Sequence, residues 1–103
     1  MKDCVRKWLS DQVGADDEML LQSLYDDYRG TVAEQLAQVR KDLAAADYEA
    51  LNRTAHALKG AALTVGDNEI LQEVLALRDA AKASDGTTAT AAADRLDALR
   101  AQL

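Results

Sequence analysis

The sequence has no proline and no phenylalanine, one cysteine, one histidine, one tryptophan and five glycines. Each scarcity excludes something. A chain so poor in Pro and Gly cannot punctuate the many turns of a β-sandwich or barrel. The lone Cys4 leaves no internal disulfide and no cysteine-based metal site. No apolar run precedes it, so it does not read as a secretory or lipoprotein signal. A single histidine rules out any site that needs two imidazoles. No apolar stretch approaches the roughly 20 residues needed to span a bilayer, so no membrane segment is expected. The net charge of −6 repels phosphate backbones, which argues against nucleic-acid binding. A reducing, cytoplasmic setting is the expectation.

What remains is a chain of 103 residues, read as a single domain over 1–103. Ala, Leu, Gln, Glu, Lys and Arg dominate it, all good helix formers, so an all-α fold is expected. Val5, Trp8, Leu9 and Val13 mark a short amphipathic helix that Gly14 ends. Asp16, Asp17 and Glu18 then place acids at a helix start. Leu20, Leu24, Tyr28, Val32, Leu36, Val39 and Leu43 recur at steps of three and four along one long helix, with Gly30 marking a bend or break.

Asp47 is the expected N-cap of the next helix. Its stripe is Leu51, Leu58 and Val65 with Thr54, Ala61 and Ala62 alongside, and Gly66 is its stop. Asp67 caps a helix carrying Ile70, Val74, Leu77 and Ala81. Residues 84–90, rich in Thr, read as a loop. A last helix carries Ala92, Leu96, Leu99 and Leu103. Narrow apolar stripes and short joins predict an antiparallel four-helix bundle, capped at one end by the short first helix with Trp8 as its anchor.

The single histidine lies off this core. At 100° per residue the Leu51, Leu58 and Val65 stripe falls about 180–220° from His56. Asn52, Arg53, Lys59, Gly60 and Leu63 fall within about 60° of it. Taken singly, each has a bland explanation: a solvated lysine, a surface histidine, a rim leucine, a glycine that lets two helices approach. Gly60 is the least bland, because a mid-helix glycine costs about 1 kcal/mol relative to Ala. It sits one turn beyond His56, where a small residue leaves room for another molecule.

Read together, His56-Ala57-Leu58-Lys59-Gly60-Ala61-Ala62-Leu63-Thr64-Val65-Gly66 resembles the signature of the histidine-containing phosphotransfer (HPt) domain family. That signature is a His, any residue, an apolar residue, Lys-Gly, small residues, and a helix-ending Gly ten positions after the His. Asp47 followed by Tyr48, and the apolar Ile70, Val74 and Leu77, fit the same pattern. The resemblance implies a phosphorelay module rather than an independent enzyme. His56 would accept a phosphoryl group from a receiver-domain aspartate, or from a histidine or hybrid kinase, and pass it to another receiver. Lys59 would meet the phosphoryl oxygens and Gly60 would keep the approach clear. Leu63, Asn52, Arg53, Arg78 and Lys82 would share the docking face. No cofactor is expected on this chain, since the Mg²⁺ used in transfer belongs to the receiver.

The chemistry suits these residues. A neutral imidazole is a competent nucleophile near pH 7. Phosphoryl transfer asks for in-line positioning and charge compensation more than for proton transfer. One position departs from the pattern. Some family members place a carboxylate or amide 22 residues after the His, where it orients the imidazole. Here that residue is Arg78, which cannot accept a hydrogen bond. Arg78 and Lys82 would instead meet the phosphate or a receiver's acidic pocket. The start at Met1 and end at Leu103 lead us to expect a free-standing shuttle. The competing reading is a helical module that binds a receiver or kinase without phosphotransfer.

Overall fold

A computed structural model of the chain describes residues 1–13 and 17–103. Gly14 as a helix stop, Asp16 as a helix-start acid and the side chain of Val13 lie outside the described residues. The described chain is all-helical. It forms α1 (Asp3–Val13), α2 (Glu18–Ala44), α3 (Tyr48–Val65), α4 (Asn68–Lys82) and α5 (Gly86–Ala101), with no strand among the described residues.

One device sets the start of four helices. Asp17, Asp47, Asp67 and Asp85 each stand at an N-cap, and each carboxylate accepts the backbone N–H three residues on, from Leu20, Ala50, Ile70 and Thr88. A carboxylate there satisfies an orphan donor and meets the positive end of the helix dipole. Gly66 ends α3 in the left-handed region (φ 68°), with its N–H donating to the Ala62 carbonyl. Ala46 and Ser84, in the connections after α2 and α4, take left-handed backbone without being glycine (φ 49° and 52°).

The expected Thr-rich loop at 84–90 is not there. Helix α5 begins at Gly86, so only residues 83–85 connect it to α4. The hydroxyl of Thr88 donates to the Asp85 carboxylate at 2.6 Å while the Thr88 N–H donates to the same side chain. Residues that favour turns when unpaired are thus used up in building a helix start. Gly30 makes no break either, since α2 runs through it without interruption.

α2 packs on α3 and α5, and α4 packs on the same two, while α1 leans on α2 and α3. The core is Leu- and Val-rich along α2–α4 and Ala-rich along α5, where Ala89, Ala92 and Ala93 let the helix approach closely. Leu99 and Leu103 are only partly buried. In α2 the early register differs from expectation. Leu21 and Tyr25 are buried, Leu20 is 43% exposed and Leu24 is half-buried. Leu43 likewise yields its core place to Asp42, whose carboxylate accepts from Thr54 Oγ1 at 2.7 Å and Gln38 Nε2 at 2.9 Å. On α3, Ala55 enters the core and Ala61 sits at its edge.

Trp8 does tie α1 to the end of α3, but from the edge of the core rather than from within it. Val5 and Leu9 are the buried residues of α1, and Trp8 remains 41% exposed. The Trp8 ring lies over Gly66, where a Cβ would stand 2.6 Å from Trp8 Cγ. Its Nε1–H donates to the Thr64 carbonyl at 3.0 Å. Lys2 adds an ion pair to the fully buried Asp67 at 3.0 Å.

Candidate functional site

α3 is a helix with two characters. Leu51, Ala55, Leu58 and Ala62 are fully buried on one side. His56, one residue from Ala55, is exposed on the other. The alternation follows from helix geometry: the residues that fill the core leave a strip a half-turn away that nothing covers. His56 has no hydrogen-bond partner among the described residues, so its ring is free to meet an incoming group.

The strip continues past His56. Gly60 is exposed, and a Cβ built on it would meet nothing within 4 Å. Close helix approach is therefore not what this glycine serves. Thr64 donates its hydroxyl back to the Gly60 carbonyl at 2.8 Å. Leu63 is 49% exposed, a large apolar side chain left in solvent. Lys59 and Asn52 are half-buried. Arg53 is exposed and its guanidinium lies 3.4 Å from Glu49, one turn earlier.

α4 adds Arg78, half-buried, and Lys82, exposed. Among the described residues neither they nor Lys59 forms an ion pair. Arg53, Lys59, Arg78 and Lys82 thus come from the two neighbouring helices α3 and α4, in a chain whose net charge is −6. Lys59, one turn from His56 on α3, is the cation of that strip without an ion pair among the described residues.

Beside this strip, α1, α2 and α3 enclose an open groove of about 750 Å³ bordered by Trp8, Leu24, Thr31, Ala57, Ala61 and Leu63. Periodicity places Leu24 on the core stripe of α2 and makes Trp8 an anchor of α1, and it does not reveal the groove between them. The sequence signal for it is the adjacent apolar pair Leu24 and Tyr25, one member of which a single stripe cannot hold.

A protein-family model described as Hpt domain matches residues 23–103. The chain belongs to the Hpt domain family. Comparison with curated proteins and with solved structures yields no match. Hpt domains are histidine phosphotransfer modules of two-component phosphorelays, and they interact with receiver domains and kinases. The matched span holds α3, α4, α5 and most of α2, and so the whole strip around the chain's one histidine. α1, which walls one side of the groove, precedes the part of the chain matched to the Hpt domain. No helix among the described residues is long and apolar enough to cross a membrane.

Proposed function

We propose that this Hpt domain carries its phosphoryl group on Nε2 of His56. One observation carries the reading. A histidine stands exposed in mid-helix, backed by a fully buried stripe, with open space above Gly60 one turn further on. A partner's acyl phosphate can reach such an imidazole in line.

The transfer step needs little from this chain. The lone pair of Nε2 attacks phosphorus, the P–O bond to the receiver's aspartate breaks, and the carboxylate leaves with its electron pair. Passage to a second receiver reverses the step onto that aspartate. The Mg²⁺ that supports transfer sits on the receiver. Lys59 compensates phosphoryl charge from within the helix. Gly60 keeps the approach clear, and Leu63, Asn52, Arg53, Arg78 and Lys82 form the docking face. The cationic strip suits the acidic aspartate pocket of a receiver, and the groove beside it offers apolar area. A histidine or hybrid kinase is the other donor.

The scaffold is read as one domain over 1–103, an antiparallel four-helix bundle of α2–α5 with α1 closing one end. The connections 45–47, 66–67 and 83–85 are short enough to favour antiparallel neighbours. The working compartment is the cytoplasm.

The test is incubation with an acetyl-phosphate-charged receiver, followed by intact-mass analysis. One added phosphoryl group, absent from His56→Gln, is the expected result. Stable binding with no mass shift would instead make the chain a non-catalytic interaction module.

A further inference from the structure

Two buried side-chain atoms stand without a hydrogen-bond partner among the described residues, Nε of Arg78 and Oδ1 of Asn52. A buried donor or acceptor left unpaired is costly, so such atoms are places where a ligand can contribute. Both flank His56. Asn52 is one turn before it on α3.

The position of Arg78 follows from the packing of α4. Glu73 reaches Arg95 of α5 at 2.6 Å, which fixes the flank of α4 that meets α5. The opposite flank carries Leu71, Leu75, Arg78 and Lys82, and Leu71 borders a surface hollow together with Ala62 and Leu63 of α3. In an antiparallel pair, two turns forward along α4 are two turns back along α3. That step takes Leu71 to Arg78 and takes Ala62 and Leu63 to Ala55 and His56. Arg78 therefore stands level with His56.

Its charge is also uncommitted. Arg6, Arg29, Arg40, Arg53 and Arg95 each pair with a carboxylate, whereas among the described residues Arg78, like Arg100 at the end of α5, does not. A half-buried guanidinium with a buried, unpaired Nε–H and no counter-ion is matched to an anion carrying several acceptor oxygens. Lys82 has the charge but is exposed. Asn52 Oδ1, being an acceptor, cannot serve a phosphoryl oxygen, but it can serve a guanidinium N–H.

We propose that Arg78 holds the phosphoryl group on His56, its Nε–H and a neighbouring Nη–H donating to phosphoryl oxygens while Asn52 Oδ1 steadies the guanidinium. This rests on His56 being the phosphoacceptor. It divides the two α4 cations: Arg78 serves the phosphorylated state of the isolated chain, and Lys82 faces the partner.

The experiment uses the isolated chain and phosphoramidate, so that no receiver is involved. Nε2 attacks phosphorus, the P–N bond breaks and ammonia leaves. Intact mass and the loss of labelling in His56→Gln report the phosphoacceptor by themselves. On ¹⁵N-labelled protein, the Arg78 Nε–H resonance, assigned by its absence from Arg78→Lys, should move downfield and gain exchange protection on phosphorylation. The ³¹P titration of the phosphoryl group should shift to higher pH in Arg78→Gln and only partly so in Arg78→Lys. A phosphorylated His56 with an unmoved Arg78 resonance and an unchanged ³¹P titration in Arg78→Gln would overturn the proposal and leave His56 standing. Labelling that persists in His56→Gln would overturn both.

Discussion

Tyr28 donates its hydroxyl hydrogen to Asp67 Oδ2 at 2.8 Å inside the core, across 39 positions of sequence. The bond joins the middle of α2 to the N-cap of α4. Asp67 is fully buried and also accepts from Lys2 Nζ at 3.0 Å and from the Ile70 N–H at 3.3 Å. Its carboxylate thus ties α2, α4 and the residue before α1 together at one end of the bundle. Burial, reinforced by the Asp67 charge, pushes the Tyr28 hydroxyl well above its ordinary range.

Tyr28→Phe should therefore cost about 1–3 kcal/mol at neutral pH, because a buried carboxylate loses a donor. Its pH dependence has a definite sign. Above about pH 10 an unfolded tyrosine ionises while the folded Tyr28 keeps its proton. The unfolded state then binds fewer protons, so stability falls as pH rises. Denaturant unfolding measured across that range should show a flatter alkaline decline in Tyr28→Phe. A residual slope should remain from Tyr25, whose hydroxyl burial also raises.

His56→Gln should abolish phosphorylation and leave stability within about 0.5 kcal/mol of the parent, because His56 is exposed and opposite the core stripe. Helical signal and thermal midpoint check the second half. A large drop in midpoint would assign His56 a structural role.

Lys59→Ala should slow transfer or shorten the phosphohistidine half-life by roughly tenfold, the scale of one charge-assisted hydrogen bond. Receiver binding should persist. Equal rates and equal half-lives would reduce Lys59 to a solvated lysine.

Gly60→Ala should stabilise the fold by up to about 1 kcal/mol, since the added methyl meets open space. Gly60→Gln should also fold, yet cut single-turnover transfer sharply by crowding the approach to the imidazole. Leu63→Asp should weaken receiver binding instead. The informative pair of measurements is thermal midpoint and transfer rate for Gly60→Gln. A stable protein with normal transfer would place the partner elsewhere.

Gly66→Ala should lower stability by about 1–3 kcal/mol. Its left-handed backbone disfavours any Cβ, and that Cβ would run into the Trp8 ring. The loss should be accompanied by a change in Trp8 fluorescence as the indole is displaced. An unaltered midpoint would mean that α1 does not depend on this contact.

Helix identity and the uncovered strip around His56 were legible in the chain itself because both are local. Aspartates at Asp47 and Asp67, a glycine at Gly66 and apolar residues three and four apart act within one or two turns. His56, Lys59 and Gly60 lie within five consecutive positions of one helix, so their shared face follows from 3.6 residues per turn alone. Asp85 shows where local reading stops. Whether a Thr- and Ser-rich stretch turns or begins a helix depends on which hydroxyls and N–H groups find the carboxylate.

Other features depended on which helix lay opposite. Leu21 and Tyr25 displaced Leu20 and Leu24 from the core because both sets satisfy a helical period, and only the helices packed on α2 (α1, α3 and α5) select between adjacent stripes. Asp42 is buried because Thr54 stands across from it, and Tyr28 is pinned by an aspartate 39 positions away. The Nε of Arg78, buried and unpaired among the described residues, owes its burial to the packing of α4 against its neighbours. Periodicity specifies the face of a helix, but the side chains of the helix packed against it decide which polar atoms on its edge are matched and which are left unmatched.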